Sequence, residues 1–222
     1  MTRLALLWHM HQPYYEDLAT REHILPWVRL HALKDYWGMV GLLDEFPNVK
    51  LTFNLVPSLL VQIQAFAEDR AADRHLIVGL KPAATLERDE QRFLVANGFH
   101  VPYDRMIRPY PRYAELQARR HHADDFSVQD LIDLQVWHKL VWMDPDWMTR
   151  DARLQRLLAI NRGFVEHDKQ TLRAVELELL NAVIPAYTRA ASRGQVELST
   201  SPFYHPILPL LCDSDVHFRA QP

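Results

Sequence analysis

The most constraining feature of the sequence is the uneven spacing of three short segments that have the pattern of β-strands. Leu4–Trp8 is a nearly continuous apolar run, as expected of a strand covered on both faces, and Val49–Leu55 alternates between apolar and other residues. Gln195–Ser201 has the pattern of a third strand. One helical pattern joins the first two, whereas roughly 140 residues separate the last two, far more than an ordinary crossover needs. The sequence therefore predicts an α/β fold with parallel strands and one very long connection.

Helical patterns fill both connections. Apolar residues recur at helical spacing from Trp27 to Phe46, and a second helix is predicted from Pro57 to about Phe66. From about residue 67 to 193 the pattern is almost entirely helical, and Gly194 suits the end of the last helix. We therefore predict a large helical insertion at about 67–193, between the second and third strands.

Composition and charge exclude several classes of protein. The 222 residues include 25 Lys plus Arg against 28 Asp plus Glu, so no basic excess is available to neutralise nucleic-acid phosphates. No apolar run approaches the roughly 18–20 residues that span a bilayer, and the N-terminus lacks the pattern of a secretory signal. Cys212 is the only cysteine, which excludes an internal disulfide and a cysteine-rich zinc site. We therefore predict a cytoplasmic protein with no nucleic-acid or membrane partner.

Polar side chains gather near the end of each predicted strand. Because the carboxyl ends of parallel strands meet at one edge of a sheet, these side chains are expected to share a single cleft. The group consists of His9, His11, Gln12, Asn54, Glu197, Ser199, Tyr204 and His205.

Each member of this group has a plain structural explanation as well as a functional one. His9 and His11 alternate along an extended segment, so both face the same way and could bind sugar hydroxyls or a metal. Taken alone, they are better explained as a strand end satisfied by its neighbours. Glu197 is either a cleft carboxylate that binds hydroxyls or orients a histidine, or a solvent-facing residue on a half-exposed strand. Among the tryptophans, Trp147 is predicted to lie in a turn and is the better candidate for stacking on a sugar ring.

Two segments have the character of motifs rather than of ordinary strand ends. The first is His9 to Pro13, directly after the N-terminal apolar strand. The second is Gly194 to Leu198 followed by Thr200 to Leu211, and it is long and unusual. In this order the two segments resemble the first and second motifs of glycoside hydrolase family 57. Asn54 to Leu60 is similar to the second strand and following helix of that family, and the resemblance spans the whole chain, with a looser match in the helical middle.

The resemblance implies a fold and a reaction. The fold is a partial (β/α)7-type barrel, in which residues 1–222 form the N-terminal portion of a single catalytic domain. The implied substrates are α-glucans such as maltooligosaccharides, and the implied activities are hydrolysis or glucanosyl transfer. The reaction retains configuration, requires no metal or organic cofactor, and uses two carboxyl groups roughly 5–5.5 Å apart.

The sequence departs from the family pattern at the catalytic residues. In the family the nucleophile is a Glu in a third motif and the acid/base is an Asp in a fourth, and both are expected beyond Pro222. The isolated chain is therefore predicted to be inactive and to lack the C-terminal part of the barrel. The resemblance assigns no catalytic residue and no metal ligand to this chain, and it assigns substrate binding to His9, His11, Gln12, Glu197, Tyr204 and His205.

Two alternatives stay open at this point. A non-catalytic remnant that binds glucan without turnover would carry the same motifs. A zinc-dependent hydrolase similar to polysaccharide deacetylases would use His9, His11 and His205 around a zinc-bound water. Against the zinc alternative, the first polar cluster contains no Asp, which such barrels usually place there, and Gln12 is a poor metal ligand.

Overall fold

A computed structural model describes residues 4–219 of the chain. Within them, one parallel sheet has the strand order β1 (Leu7–Met10), β2 (Leu51–Leu55) and β3 (Val196–Ser199). The α-helices are α1 (Trp27–His31), α2 (Trp37–Gly41), α3 (Pro57–Ala67), α4 (Arg74–Leu80), α5 (Arg88–Asn97), α6 (Pro111–Ala118), α7 (Val128–Leu140), α8 (Pro145–Arg150), α9 (Ala152–Ile160), α10 (Glu166–Ser192) and α11 (Leu208–Cys212).

The long connection between β2 and β3 is built from helices. Eight α-helices, α3 to α10, lie there, together with shorter 3-10 and π-helical turns. The predicted α/β class with parallel strands is confirmed. It remains a prediction that the sheet closes into a barrel and that residues 67–193 are an insertion. In the described part of the chain, no helix combines the length and the apolar character needed to cross a membrane.

The first strand lies later in the sequence than predicted. The prediction placed it at Leu4–Trp8, but the ladder with β2 pairs Leu7 with Thr52 and ends at Met10, so His9 lies inside the strand. The strand is also not covered on both faces, because Leu7 is 63% exposed. Only the face that carries Met10 meets the helices, which explains the difference.

The helices cover one face of the sheet. Phe53 of β2 is fully buried there, and its ring centroid lies 5.0 Å from that of Tyr187 in α10, with the rings edge to face. The Tyr187 hydroxyl donates to the backbone oxygen of Tyr36 at 2.7 Å, which ties α10 to the π-helical turn between α1 and α2. Since successive side chains of a strand alternate between faces, every second strand residue, including His9, Asn54 and Ser199, projects away from this core.

Candidate functional site

The uncovered face of the sheet carries a ladder of polar side chains. His9, Asn54 and Ser199 lie side by side on neighbouring strands. His9 Nδ1 lies 2.7 Å from Asn54 Oδ1, and Asn54 Nδ2 donates to Ser199 Oγ at 3.2 Å. Ser201 Oγ also donates to Asn54 Oδ1, at 3.1 Å. In the tautomer with the proton on Nδ1, the His9 ring donates to Asn54 Oδ1 and Nε2 is the remaining acceptor.

His205 reaches the same place through a tight turn after β3. Its φ of 52° lies in the left-handed region, which histidine adopts more often than most non-glycine residues. Ser58, near the start of α3, donates its backbone N–H to the Phe203 oxygen at 3.2 Å and so anchors this turn across the carboxyl end of β2. The turn therefore brings the His205 ring to the histidines of the first strand.

Three imidazole rings meet at this edge of the sheet and form what we call the histidine cluster. The ring centroids are 5.9 Å apart for His9 and His11, 4.6 Å for His9 and His205, and 4.8 Å for His11 and His205. One nitrogen from each ring lies within 4.8 Å of the other two, and no carboxylate or thiol of residues 4–219 joins the group. Burial and the neighbouring rings lower the pKa of His11, which favours its neutral form.

Gln12 does not join the histidine cluster, although it was predicted to bind substrate. Its Nε2 donates to the Tyr36 hydroxyl at 3.2 Å, and its Oε1 accepts from the Tyr15 hydroxyl at 3.1 Å. Burial raises the pKa of Tyr36 to about 12, so this hydroxyl stays protonated. Both ends of the Gln12 amide are therefore used to hold the loop after β1 against the core.

Tyr204 lies on an aromatic rim that consists of the exposed Phe203 and Tyr204 and the half-buried Tyr14. Its ring centroid is 5.9 Å from that of Tyr14 and 4.7 Å from that of Phe203, and both contacts are edge to face. Sequence reasoning singled out Tyr204 but missed the other two rings. The available signal was their position, because Tyr14 directly follows the first motif and Phe203 directly precedes Tyr204.

Glu197 lies on the same face as His9 but at a different level of the ladder. The register places it beside Thr52 and Leu7, two residues before the level of His9. Strand spacing then puts the Cα atoms of Glu197 and His9 about 12 Å apart. The carboxylate accepts from Thr52 Oγ1 at 3.3 Å, and the structure does not bring it to the histidine cluster.

Trp147 was predicted to lie in a turn and to be a candidate for sugar stacking. The structure places it in α8, with its ring centroid 5.9 Å from that of Trp37. These two rings line a groove with Asp146, Arg150 and Asp151, and no member of the histidine cluster lines that groove. Trp147 therefore belongs to a different surface from the polar face of the sheet.

Asn54 has a role that sequence reasoning did not assign. It was grouped with the polar strand ends, yet it is the residue that connects the first and third strands through side-chain hydrogen bonds. Asparagine is depleted in strands. An asparagine in the middle of an alternating strand pattern was therefore the signal that could have marked it.

A comparison with protein families identifies the family. A family model described as Glycosyl hydrolase family 57 matches residues 5–221, almost the whole chain. No curated protein and no solved structure matches. The matched range includes all three strands, the histidine cluster and the aromatic rim.

Proposed function

The chain belongs to glycosyl hydrolase family 57, and on that premise we propose that its histidine cluster binds the sugar ring of an α-glucan next to the bond that is cleaved or transferred. The observation that carries the proposal is the convergence of His9, His11 and His205 at the carboxyl edge of a parallel sheet. This is the edge at which α/β folds bind their ligands.

The chemistry of the histidine cluster suits a polyhydroxylated ligand. A neutral imidazole donates one hydrogen bond and accepts another, as a sugar hydroxyl does. The rings of His11 and His205 form no side-chain hydrogen bond with other residues of 4–219, and His9 keeps Nε2 free. The aromatic rim adds apolar ring faces on which the C–H groups of a pyranose pack.

In this proposal, the two carboxylic acids of the retaining mechanism do not belong to the described residues. Such chemistry needs two carboxyl groups roughly 5–5.5 Å apart on either side of the scissile bond. No carboxylate of the described chain joins the histidine cluster, and Glu197 lies at a different level of the sheet. We therefore assign substrate binding to the histidine cluster. Glu197 has a supporting role, exerted through its hydrogen bond with Thr52. The nucleophilic Glu and the acid/base Asp belong to polypeptide outside residues 4–219.

Open edges of the sheet support a larger barrel around this site. In the described structure β1 and β3 are edge strands, and Leu7 and Leu198 on them are 63% and 44% exposed. Exposed edges with apolar side chains normally pair with further structure. Further strands of the same barrel would cover both edges and would bring carboxylates to the polar face.

The proposal is tested by measuring binding and turnover separately on the isolated chain. With maltooligosaccharides, we expect calorimetry to detect binding and a reducing-end assay to detect no cleavage. His11→Ala should weaken binding about tenfold, since it removes hydrogen bonds worth about 1.4 kcal/mol in total. His122→Ala, an exposed histidine before α7, is the matched control and should bind like the parent.

Two results would overturn different parts of the proposal. A chain that is folded by circular dichroism but binds no maltooligosaccharide would refute α-glucan recognition by the histidine cluster. Release of reducing ends by the isolated chain, abolished in a heat-denatured sample, would refute the assignment of the catalytic acids to other polypeptide.

A further inference from the structure

We propose that His9, His11 and His205 also form a binding site for a divalent transition metal of the zinc type, with three imidazole ligands and one open position. The inference goes beyond glucan recognition and does not depend on it. It also goes beyond the family resemblance, which implies a reaction that needs no metal.

The ring positions fit a common metal ion. Three centroids separated by 4.6, 4.8 and 5.9 Å lie on a circle whose radius is about 3 Å. A zinc ion bound at 2.0–2.1 Å from a ring nitrogen lies about 3.2 Å from the ring centre, so one point near the middle of the cluster suits all three rings. The candidate nitrogens already lie within 4.8 Å of one another, and small rotations of the rings would bring them to the roughly 3.4 Å spacing of tetrahedral ligands.

Asn54 supplies the support that metal-binding histidines require. Such histidines donate their second ring N–H to an oxygen, which fixes the ring and leaves the other nitrogen for the metal. His9 Nδ1 lies 2.7 Å from Asn54 Oδ1, and Asn54 is itself held by Ser199 and Ser201. His9 Nε2 is therefore presented with its lone pair free.

The backbone at His205 also points to a function. A non-glycine residue with φ near 52° is a strained conformation that persists where the surrounding structure enforces it, and such residues gather at ligand sites. Here the strained turn brings the third imidazole to the other two. The backbone N–H of His205 donates to the Pro202 oxygen at 2.8 Å, whereas its ring forms no side-chain hydrogen bond with residues 4–219.

The donor set predicts which metals bind. Imidazole nitrogen suits Zn²⁺, Co²⁺, Ni²⁺ and Cu²⁺, whereas Mg²⁺ and Ca²⁺ prefer oxygen ligands. Since no carboxylate or thiol of the described residues joins the three rings, the ligands are neutral and the ion keeps its full charge. A water or a sugar hydroxyl would occupy the fourth, open position.

The test is a metal titration of tag-free, EDTA-treated protein in the absence of carbohydrate. We expect one Zn²⁺ per chain and no competition from Mg²⁺. Co²⁺ added to the metal-free protein should give the intense visible absorption of a tetrahedral complex, and Zn²⁺ should displace it. His11→Ala should abolish this binding, and Asn54→Ala should weaken it about 10- to 100-fold while leaving all three ligands in place. The double variant His121→Ala, His122→Ala removes two exposed histidines outside the cluster and should bind as the parent does.

Several outcomes would refute the metal site. They are a folded protein without stoichiometric zinc, undiminished binding in His11→Ala, or loss of binding in the double control variant. Glucan binding is measured in parallel with EDTA present. Retained glucan binding in EDTA would leave the proposed function intact whatever the titration shows, so the two proposals fail separately.

Discussion

Two polar regions of this molecule are built in opposite ways. In the helical part, the fully buried carboxylate of Glu176 lies 3.1 Å from Lys139 Nζ and 3.3 Å from Arg173 Nη1. Arg29 Nη1 lies 3.5 Å from Glu176, and Arg29 also donates to Asp73 at 2.7 and 3.1 Å. We call these five residues the buried ionic network. Burial alone would raise the pKa of Glu176, but the three cations hold it below its usual range.

The histidine cluster shows the reverse arrangement. Its rings are exposed or half-buried, no charged partner of the described chain joins them, and only His9 has a side-chain hydrogen bond. No buried side-chain nitrogen or oxygen of the buried ionic network lacks a hydrogen-bond partner, whereas two of the three rings of the histidine cluster form no side-chain hydrogen bond within residues 4–219. The two regions therefore differ in unused hydrogen-bonding capacity rather than in the number of charges, and that capacity at the sheet edge is what supports the proposed binding site.

The largest effect is expected from Glu176→Gln, which removes the central charge of the buried ionic network. Three cations would then surround a neutral amide, and breaking a buried ion pair in this way costs about 3–5 kcal/mol. Urea unfolding followed by circular dichroism measures the change. Glucan and zinc binding by the remaining folded protein should be unaffected.

The matched control for Glu176 lies two residues further along α10. Glu178 pairs with Arg153 on the surface, where its side chain is 51% exposed. Glu178→Gln should change stability by no more than about 1 kcal/mol. Equal effects of the two substitutions would contradict the distinction between a buried network and a surface pair.

Much of the fold could be predicted from local patterns. The alternation at Val49–Leu55 and the proline at position 57 predicted β2 and α3 nearly to the residue. The first strand was misplaced because apolar character was taken as its signal, whereas pairing with β2 decides which residues enter the ladder. The buried ionic network was not predicted, because its partners are far apart in sequence and a charge on a helix normally indicates a solvated face.

The sequence predicted which histidines come together, but not where the other motif residues lie. His9, His11 and His205 were selected together, and the structure brings them together. Gln12 and Glu197 belong to the same motifs, but side-chain direction and ladder level separate them from the cluster. These properties depend on the register between strands, which no single segment of the sequence contains.

A second prediction concerns His138, a buried counterpart of the exposed histidines. Burial above all lowers the pKa of His138 to about 3, against about 6.5 in an unfolded chain. Between these values the unfolded chain binds a proton that the folded chain does not, so stability falls on acidification. From pH 6 to pH 4 this residue should remove about 2–3 kcal/mol. The titratable groups that face it are His75, Arg29, Lys139 and Asp73.

Urea unfolding at a series of pH values tests this prediction with His138→Gln as the comparison. The variant keeps every carboxylate and the other histidines, so the difference between the two pH slopes isolates His138. A flatter slope for the variant below pH 6.5 is expected. Parallel slopes would show that the folded and unfolded chains protonate His138 over the same pH range, and would contradict the lowered pKa.

A third prediction concerns Gln12, which is next to His11 in the sequence but has its amide hydrogen-bonded to Tyr36 and Tyr15. Gln12→Ala leaves the hydroxyls of Tyr15 and Tyr36 without their partner and should cost about 1–2 kcal/mol. Since the amide does not reach the histidine cluster, maltooligosaccharide affinity measured on the folded fraction should change by less than about threefold. A large loss of affinity with little loss of stability would instead support the direct substrate contact that the sequence motif suggests.

The smallest effect on stability is expected at His205, where function and backbone strain oppose each other. Glycine adopts the left-handed conformation without the cost that a Cβ imposes, so His205→Gly should be more stable than His205→Ala by about 1 kcal/mol. His122 has a φ of −117°, and there the order should reverse, with glycine less stable than alanine. Both His205 variants should lose ligand binding to the same extent, because each lacks the third imidazole. If His205→Gly kept the ligand affinity of the parent, the left-handed turn rather than the imidazole ring would matter for binding. The contrast between the hydrogen-bonded groups of the buried ionic network and the unbonded rings of the histidine cluster would then not apply to His205.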